Sequence, residues 1–473
     1  VTRATIVGSG PNGLAAAIIL ADAGVEVTVL EAADTPGGGT RSSELTLPGL
    51  IHDECSAAHP LAVDTPFSRQ VDLSAHGLTW RWPEVQYAHP LDGGGGAAAY
   101  RSVEATATAL GRDGRAWRAV FAPLAARFDA ISADITAPLL RVPGHPLALA
   151  RFGLRSGLPV SLLARAWRTD AGQGLFAGVA AHAMAPFGGP LSSAVGVSLA
   201  TAAHRYGWPV AEGGSAAITR AMIAALTARG GVVETGVRVT SLDELALGRD
   251  DLVLLDLAPG AAARLCGERL PRGVRRAYTR YRHGPAAFKV EFAVEGGVPW
   301  SYAPARVAGT VHVCGGLAEI RAAEALVHRG RLPERPFVLV CQQSLADPTR
   351  RRGDVHPVYS YAHVPAGYPG DVTDAIEAQI ERFAPGFRDR ILARHVRSVA
   401  AMEADNANYV GGDIVCGAND PRQLLLRPRL ARDPYSVGIP GVYLCSAATP
   451  PGAGAHGMCG FNAARSALAH LAA

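Results

Sequence analysis

A glycine-marked turn between two apolar strands fixes what the first thirty residues of this chain can become. Ile6-Val7-Gly8-Ser9-Gly10-Pro11-Asn12-Gly13 runs into an alanine-rich helix, and Val25-Glu26-Val27-Thr28-Val29-Leu30-Glu31 follows. Strand, glycine turn, helix and a second strand ending in an acid make up the unit that holds a dinucleotide. Gly8 permits the tight turn, Gly10 lets the backbone approach a pyrophosphate, and Gly13 lets the helix pack closely on the sheet. Pro11 and Asn12 open that helix, whose free N–H groups and dipole attract phosphate charge. Glu31, followed by Ala32, is placed to accept hydrogen bonds from both ribose hydroxyls.

A few residues later comes Gly37-Gly38-Gly39-Thr40-Arg41. This cluster resembles the second diphosphate-contacting loop of FAD enzymes in the flavin amine oxidase and phytoene desaturase superfamily, and it points to FAD over a nicotinamide. Near the other end, the strand Gly441–Cys445 leads into a Gly/Pro loop, in which Gly452, Gly454 and Gly457 form a second GxGxxG. With the chain ending at Ala473, no strand or ribose-binding acid is expected after it, so one nucleotide site is the expected count. That loop, with Gly454, Ala455, His456, Gly457 and Met458, is expected to deliver helix N-terminal amides to the FAD ribityl chain and the flavin ring.

Over nearly its whole length the chain resembles the phytoene desaturase-like FAD oxidoreductases, in the bacterial branch that shares a mitochondrial-matrix homologue. The markers are Gly49-Leu50-Ile51-His52-Asp53 with Cys55–Leu61, Gly207-Trp208-Pro209-Val210 with Gly213-Gly214, and Phe288-Lys289-Val290. Asp347-Pro348-Thr349-Arg350, Asn408–Asp413 and His456–Gly460 continue the series. The resemblance implies that Ser56, Ala57 and His59 pass beside the flavin and that Val239 contacts adenine through its backbone. It also implies that Gly38, Gly39, Thr40 and Arg41 hold the diphosphate. Many such enzymes carry Gly-Asp after the last strand; Ser446-Ala447 stands there here, so Ser446 or backbone amides must substitute.

The expected fold is α/β: a glutathione-reductase-like Rossmann FAD-binding domain interleaved with a substrate-binding domain of mixed sheet and helices. Residues 1–75, 206–275 and 406–473 are assigned to the first, with a strand expected over 232–239, and 76–205 and 276–405 to the second. At 473 residues, 48% hydrophobic and 18% charged, the chain suits a large core with a buried parallel sheet. A net charge of +4 with no basic cluster interleaved with aromatics argues against a nucleic-acid partner. Seven scattered cysteines without a CxxC argue against a redox dithiol or a thiolate zinc site, and no metal is expected. Free thiols suit a reducing cytoplasm, and a first strand at about residue 3 leads to the expectation of no signal peptide. Whether the chain forms a homodimer is left open.

From Gly174 to Ala203 there is no formal charge. A Pro/Gly break at 186–190 divides this run into segments too short to span a bilayer, so two buried helices around a turn are expected. They could wall an apolar substrate cavity or simply fill the core. Peripheral membrane contact also enters here, because some relatives fetch lipid-soluble substrates. Lys289 is the only lysine among 45 basic residues. On an alternating strand it could place a compact ammonium near the flavin or substrate oxygen, or it could serve a structural ion pair. His59 and His456 are candidates for acid/base work or for structural hydrogen bonds, with His182 and His312 weaker ones.

The resulting expectation is an FAD-dependent desaturase or dehydrogenase. It would take hydride from an apolar unsaturated small molecule such as an isoprenoid, polyene or polyketide intermediate, and pass electrons to oxygen, a quinone or another acceptor. A flavin isomerase, a flavin amine oxidase and a non-enzymatic FAD-binding interaction protein are the alternatives.

Overall fold

The computed structural model describes residues 2–138, 141–245, 247–248 and 250–471. Five parallel strands form one sheet in the order Val442–Leu444, Leu252–Leu255, Arg3–Val7, Glu26–Leu30, Val232–Glu234. Val7 lies between Leu255 and Leu30 at the centre, where the order of connection reverses. The crevice beyond the carboxyl ends of the strands at such a switch point is where ligands bind in this kind of sheet. Helix Pro11–Asp22 opens with proline at its first turn and is buried from Asn12 to Leu20. Its small residues let it sit between the sheet and helix Met458–Leu471. A Cβ on Gly460 would fall only 1.7 Å from the Asn12 carbonyl oxygen, so the two helices touch backbone to backbone.

The second sheet has seven strands in the order Ile391–Arg397, Ala286–Glu295, Val355–Val364, Val338–Cys341, Ala308–Val313, Val85–Pro90, Gly96–Ala99. All neighbours are antiparallel except Ala308–Val313 with Val85–Pro90. Phe288, Val290 and Phe292 point to one face, into a core with Ile376, Ile380 and Phe383. Tyr87, Leu339, Tyr359 and Tyr361 point to the other, against helices Gly114–Ala125, Asp170–Ala180 and Ala194–Arg205. The latter two are the buried pair expected from the uncharged run. A short ribbon pairs Trp80–Arg81 with Val210–Ala211 and ties the two sheets' chain segments together.

One expected element is shorter than its sequence suggests. The strand starting at Val232 ends at Glu234, because Gly236 turns the chain with φ +72°. Past the turn, the Val237 amide donates to the Glu31 carbonyl, which still carries Val237 and Val239 to the crevice.

Candidate functional site

A cavity of about 930 Å³ runs from the glycine turn of the parallel sheet to the buried face of the mixed sheet. Gly8, Ser9, Gly10, Pro11 and Asn12 line one end, with Glu31, Ala32, Gly38, Gly39, Thr40 and Arg41 beside them. Gly8 takes the left-handed conformation (φ +101°) that the turn demands. A Cβ on Gly13 would stand 2.2 Å from the Gly8 carbonyl oxygen, so this glycine serves helix–strand packing and does not line the cavity. The two glycine loops meet, since a Cβ on Gly38 would lie 3.2 Å from the Gly10 Cα. Arg41 is held by its Nε donating to the Gly38 carbonyl (3.0 Å) and a terminal nitrogen donating to the Asp405 carbonyl (2.7 Å).

Asp256 changes the reading of this loop. It ends the strand Leu252–Leu255, and its Oδ2 accepts from the Gly13 amide at 3.0 Å. A Cβ on Gly10 would come within 2.5 Å of that same oxygen, so the glycine requirement at position 10 comes from Asp256 as well as from any approaching phosphate. One helix N-terminal amide is thereby already used. Burial lifts the Asp256 carboxyl to about 7, with Glu31 adding to the rise and the loop amides opposing it. Glu31 accepts from the Ser9 amide (2.9 Å), the Ser9 hydroxyl (2.6 Å) and the Ala33 amide (2.8 Å). A carboxylate offers about four acceptor sites. One acceptor position of Glu31 is thus open to a ribose hydroxyl, and a second opens when Ser9 is displaced.

From the C-terminal segment, Ser446, Ala447, Gly454, Ala455 and His456 line the cavity. Gly457 and Met458 do not: Gly457 faces Ala15 and Phe67, and Met458 is in the core of the parallel sheet. The His456 Nδ1 accepts from the Met458 amide (3.1 Å), which leaves the proton of the neutral ring on Nε2. Desolvation depresses this imidazole to about 4, so at neutral pH it is an uncharged donor.

Ser56 and Ala57 line the cavity, but His59 does not. It is buried, its Nε2 lies 3.1 Å from the Ser215 hydroxyl, and its ring packs against Trp80. Acid/base work at the cavity is therefore not its place. Lys289 is also outside the lining. Its ammonium is fully buried, 2.7 Å from a Glu291 carboxylate oxygen and 3.5 Å from the centre of the Tyr359 ring. Tyr359 lines the cavity and donates to the Cys55 carbonyl at 2.6 Å. Lys289 thus supports a wall residue from behind and does not face the cavity. The acid that pairs with it, Glu291, is two residues along its own strand. Removing this charge leaves Glu291 buried beside only His52. Lys289→Met is expected to cost about 3–5 kcal/mol, most of it restored in the Lys289→Met/Glu291→Leu double variant. Urea midpoints of the three proteins check this.

Of the candidate histidines and Lys289, only His182 lies at the far end of the cavity. Ile135, Phe152, Leu199, Trp208, Leu339 and Tyr361 are representative of that end. Lining residues drawn from 135–208 and 310–361 carry no formal charge, and desolvation holds His182 neutral, near 3. Its Nε2 is 2.9 Å from the His312 Nε2. Alternation along the strands placed Leu339 and Cys341, and Tyr359 and Tyr361, on one face. That was the available sequence signal. Leu191 and Cys416, both cavity-lining, take left-handed φ values of 62° and 55°, a strain of roughly 1–3 kcal/mol each.

The buried imidazoles set an acid limit. His59, His89, His204 and His456 are depressed from 6.5 to about 4 by burial, and His182 and His312 lie lower. The unfolded chain binds protons that the folded one refuses, so stability falls as pH drops from about 6.5 toward 4. Asp256 opposes this, its contribution being largest at low pH and lost as pH rises through 7. Six groups outweigh one. Melting temperature should fall steeply below pH 6, and Asp256→Asn should steepen the fall while raising stability at pH 8.

A family model described as an NAD(P)-binding Rossmann-like domain matches residues 6–69. The mouse protein named pyridine nucleotide-disulfide oxidoreductase domain-containing protein 2 is 32% identical over 153 residues. That match covers 29% of this chain and 26% of the mouse protein, so it spans about a quarter of that relative's length. An oxidoreductase from Methanosarcina mazei superposes with a TM-score of 0.60 at 17% identity, covering 99% of this chain and all of that one. Wild-type putrescine oxidase bound to putrescine gives 0.58 at 16% identity, covering 100% and 99%. The chain shares the fold of these proteins. Matches at these identities speak for architecture, and the residues lining the cavity must speak for chemistry.

Proposed function

We propose that the protein is an FAD-dependent oxidoreductase that removes hydride from an apolar, unsaturated small molecule. One observation carries this reading: the cavity joins a two-loop glycine cradle to a wall without formal charge. A cofactor with a diphosphate at one end and a flat ring at the other fits that change in character. Gly8–Asn12, Glu31, Gly38–Arg41 and Val239 would hold the nucleotide half. Ser446, Ala447 and Gly454–His456 would border the ring. Bound there, FAD would supply hydride acceptance. The parallel-sheet segments then serve the cofactor, and the mixed sheet with its helices serves the substrate.

The chain's own residues orient the substrate and exclude water. Tyr359, fixed by Lys289 and the Cys55 carbonyl, and Tyr361 give the wall rigid aromatic faces. The neutral His456 can donate from Nε2, and His182 can accept or relay a proton through His312. An amine oxidase reading draws on the putrescine oxidase likeness. A diamine would need acids along the wall, however, and among the described residues from 135–208 and 310–361 that line it there are none.

Anaerobic titration of the purified, FAD-loaded protein tests this. Polyene or isoprenoid compounds should bleach the flavin, and putrescine should not. NADH and NADPH should reduce it slowly or not at all in stopped flow, because the second glycine pattern at Gly452–Gly457 lies between strand Val442–Leu444 and helix Met458–Leu471 of the same parallel sheet whose crevice the first glycine turn already serves. Rapid, saturable reduction by either nucleotide would show a second dinucleotide site.

A further inference from the structure

Behind the apolar far wall of the cavity, helix Asp170–Ala180 gives up two side chains to make room for two imidazoles. A Cβ on Gly174 would come within 2.7 Å of the His89 ring, and one on Gly178 within 2.8 Å of His312. Glycine inside a helix costs roughly 0.5–1 kcal/mol against alanine, so the helix is weakened to house these rings. His89 and His312 stand on the parallel neighbours Val85–Pro90 and Ala308–Val313, and both are fully buried. Phe337 stacks on the His312 ring at 6.1 Å. The His312 Nε2 meets the His182 Nε2 at 2.9 Å, and His182 alone of the three lines the cavity.

The bond at the inner end of this row sets the direction of every proton in it. The His89 Nε2 lies 3.0 Å from the Gly315 carbonyl, which can only accept. The neutral ring therefore keeps its proton on Nε2, and its Nδ1 is a bare lone pair. The Nδ1 atoms of His89 and His312 are both 2.9 Å from the point a Gly178 Cβ would occupy, and neither has a partner among the described residues. Two bare lone pairs converging in a dry core repel, so His312 carries its proton on Nδ1. Its Nε2 then accepts from the His182 Nε2–H, and the His182 Nδ1 is left bare. That atom has no partner among the described residues and belongs to the ring that lines the cavity. Burial keeps all three rings neutral, and the buried Glu324 is taken up by His363 at 2.6 Å.

We propose that the His182 Nδ1 accepts a hydrogen bond from a hydroxyl on the substrate, which is an apolar alcohol or phenol bound with its oxygen at the far end of the cavity. The inference rests on the reading that the cavity holds an apolar substrate, and adds a polar group which that substrate carries. Ser198 and Tyr361 also line the cavity, but a hydroxyl turns to donate or accept as needed and selects nothing. An imidazole locked by its neighbours does select: it favours a donor and sets its lone pair against an ether or carbonyl oxygen. His312 and His89 are positioning residues that act through His182.

Isothermal titration of the FAD-loaded protein with geraniol, farnesol and geranylgeraniol, each compared with its methyl ether, tests this. The ether keeps the oxygen and loses the donor. At the best-fitting chain length the alcohol should bind about tenfold tighter than its ether, the contribution of one buried hydrogen bond. His182→Phe, which keeps an aromatic ring against Trp208, should abolish that preference by weakening the alcohol alone. His312→Phe should abolish it as well and His312→Gln restore it, since a glutamine carbonyl can accept from the His182 Nε2–H. A merely structural His312 would shift melting temperature and both affinities together. Should His312→Phe not fold, His182→Phe decides alone. An alcohol that binds no tighter than its ether, or a preference that survives in His182→Phe, overturns the proposal. Binding of neither compound at any chain length overturns it together with the apolar-substrate reading, so the two failures are told apart.

Discussion

Gly10→Val is expected to yield a folded protein without flavin, its affinity for FAD lowered about a hundredfold or more, or ~3 kcal/mol. A Cβ at this position meets Asp256 Oδ2 at 2.5 Å, and Gly38 already stands against Gly10 from the other loop. Valine must therefore push Asp256 off the Gly13 amide or force the two loops apart, and either deforms the cradle. Absorbance of the purified protein and calorimetric titration of apoprotein with FAD give the result. Gly10→Ala should be intermediate. If the clash with Asp256 is the cause, Asp256→Ser in the Gly10→Ala background should recover binding. A Gly10→Val protein carrying one FAD per chain would sink the assignment of this loop.

The second large effect is expected at Arg350, a fully buried guanidinium. It donates to Asp53 Oδ2 at 2.5 Å, to Asp347 Oδ2 at 3.0 Å and to the Ala211 carbonyl at 2.5 Å. Asp53 also accepts from the Ser215 amide and the Ser42 hydroxyl. Burial works to raise the Asp53 carboxyl, yet Arg350 and these donors outweigh it and hold it below the usual range. Arg350→Met would strand two buried carboxylates, at a cost of about 3–5 kcal/mol. The double variant Arg350→Met/Asp53→Asn should recover part of this, since one stranded charge is gone. Denaturant midpoints measure both. An Arg350→Met protein as stable as its parent would mean that the buried cluster contributes nothing net.

These two sites also show what the sequence could and could not disclose. The glycine turn and Glu31 were legible because a whole strand–turn–helix–strand unit is local. Asp256 gives no local signal, because its partners Gly10 and Gly13 lie some 240 residues away and only the sheet order brings them together. Asp53 and Arg350 were each noticed inside marker segments, but their pairing across 297 residues carries no local signal. The Lys289–Glu291 pair was within reach, since residues two apart on a strand share a face. His59 misled because a histidine in a cofactor-side segment reads the same whether its ring turns toward the cavity or toward Ser215. The apolar wall was half legible: the uncharged run gave its helices, while the tyrosines of strand Val355–Val364 looked like ordinary core.

The parallel sheet has a consequence for how the molecule can be made. Its central strand, Arg3–Val7, is made well before the strand that completes it, Val442–Leu444, and the helix that covers Pro11–Asp22, Met458–Leu471, which lie more than four hundred residues downstream. On the ribosome the glycine-turn unit therefore waits, with the apolar face of its helix uncovered, until residues 442–471 emerge. Chaperone protection should matter most during that interval, and nascent chains halted near residue 440 should be aggregation-prone and unable to retain FAD. Early-forming secondary structure here does not mean an early cofactor site, because the crevice is complete only once Val442–Leu444 has joined the sheet.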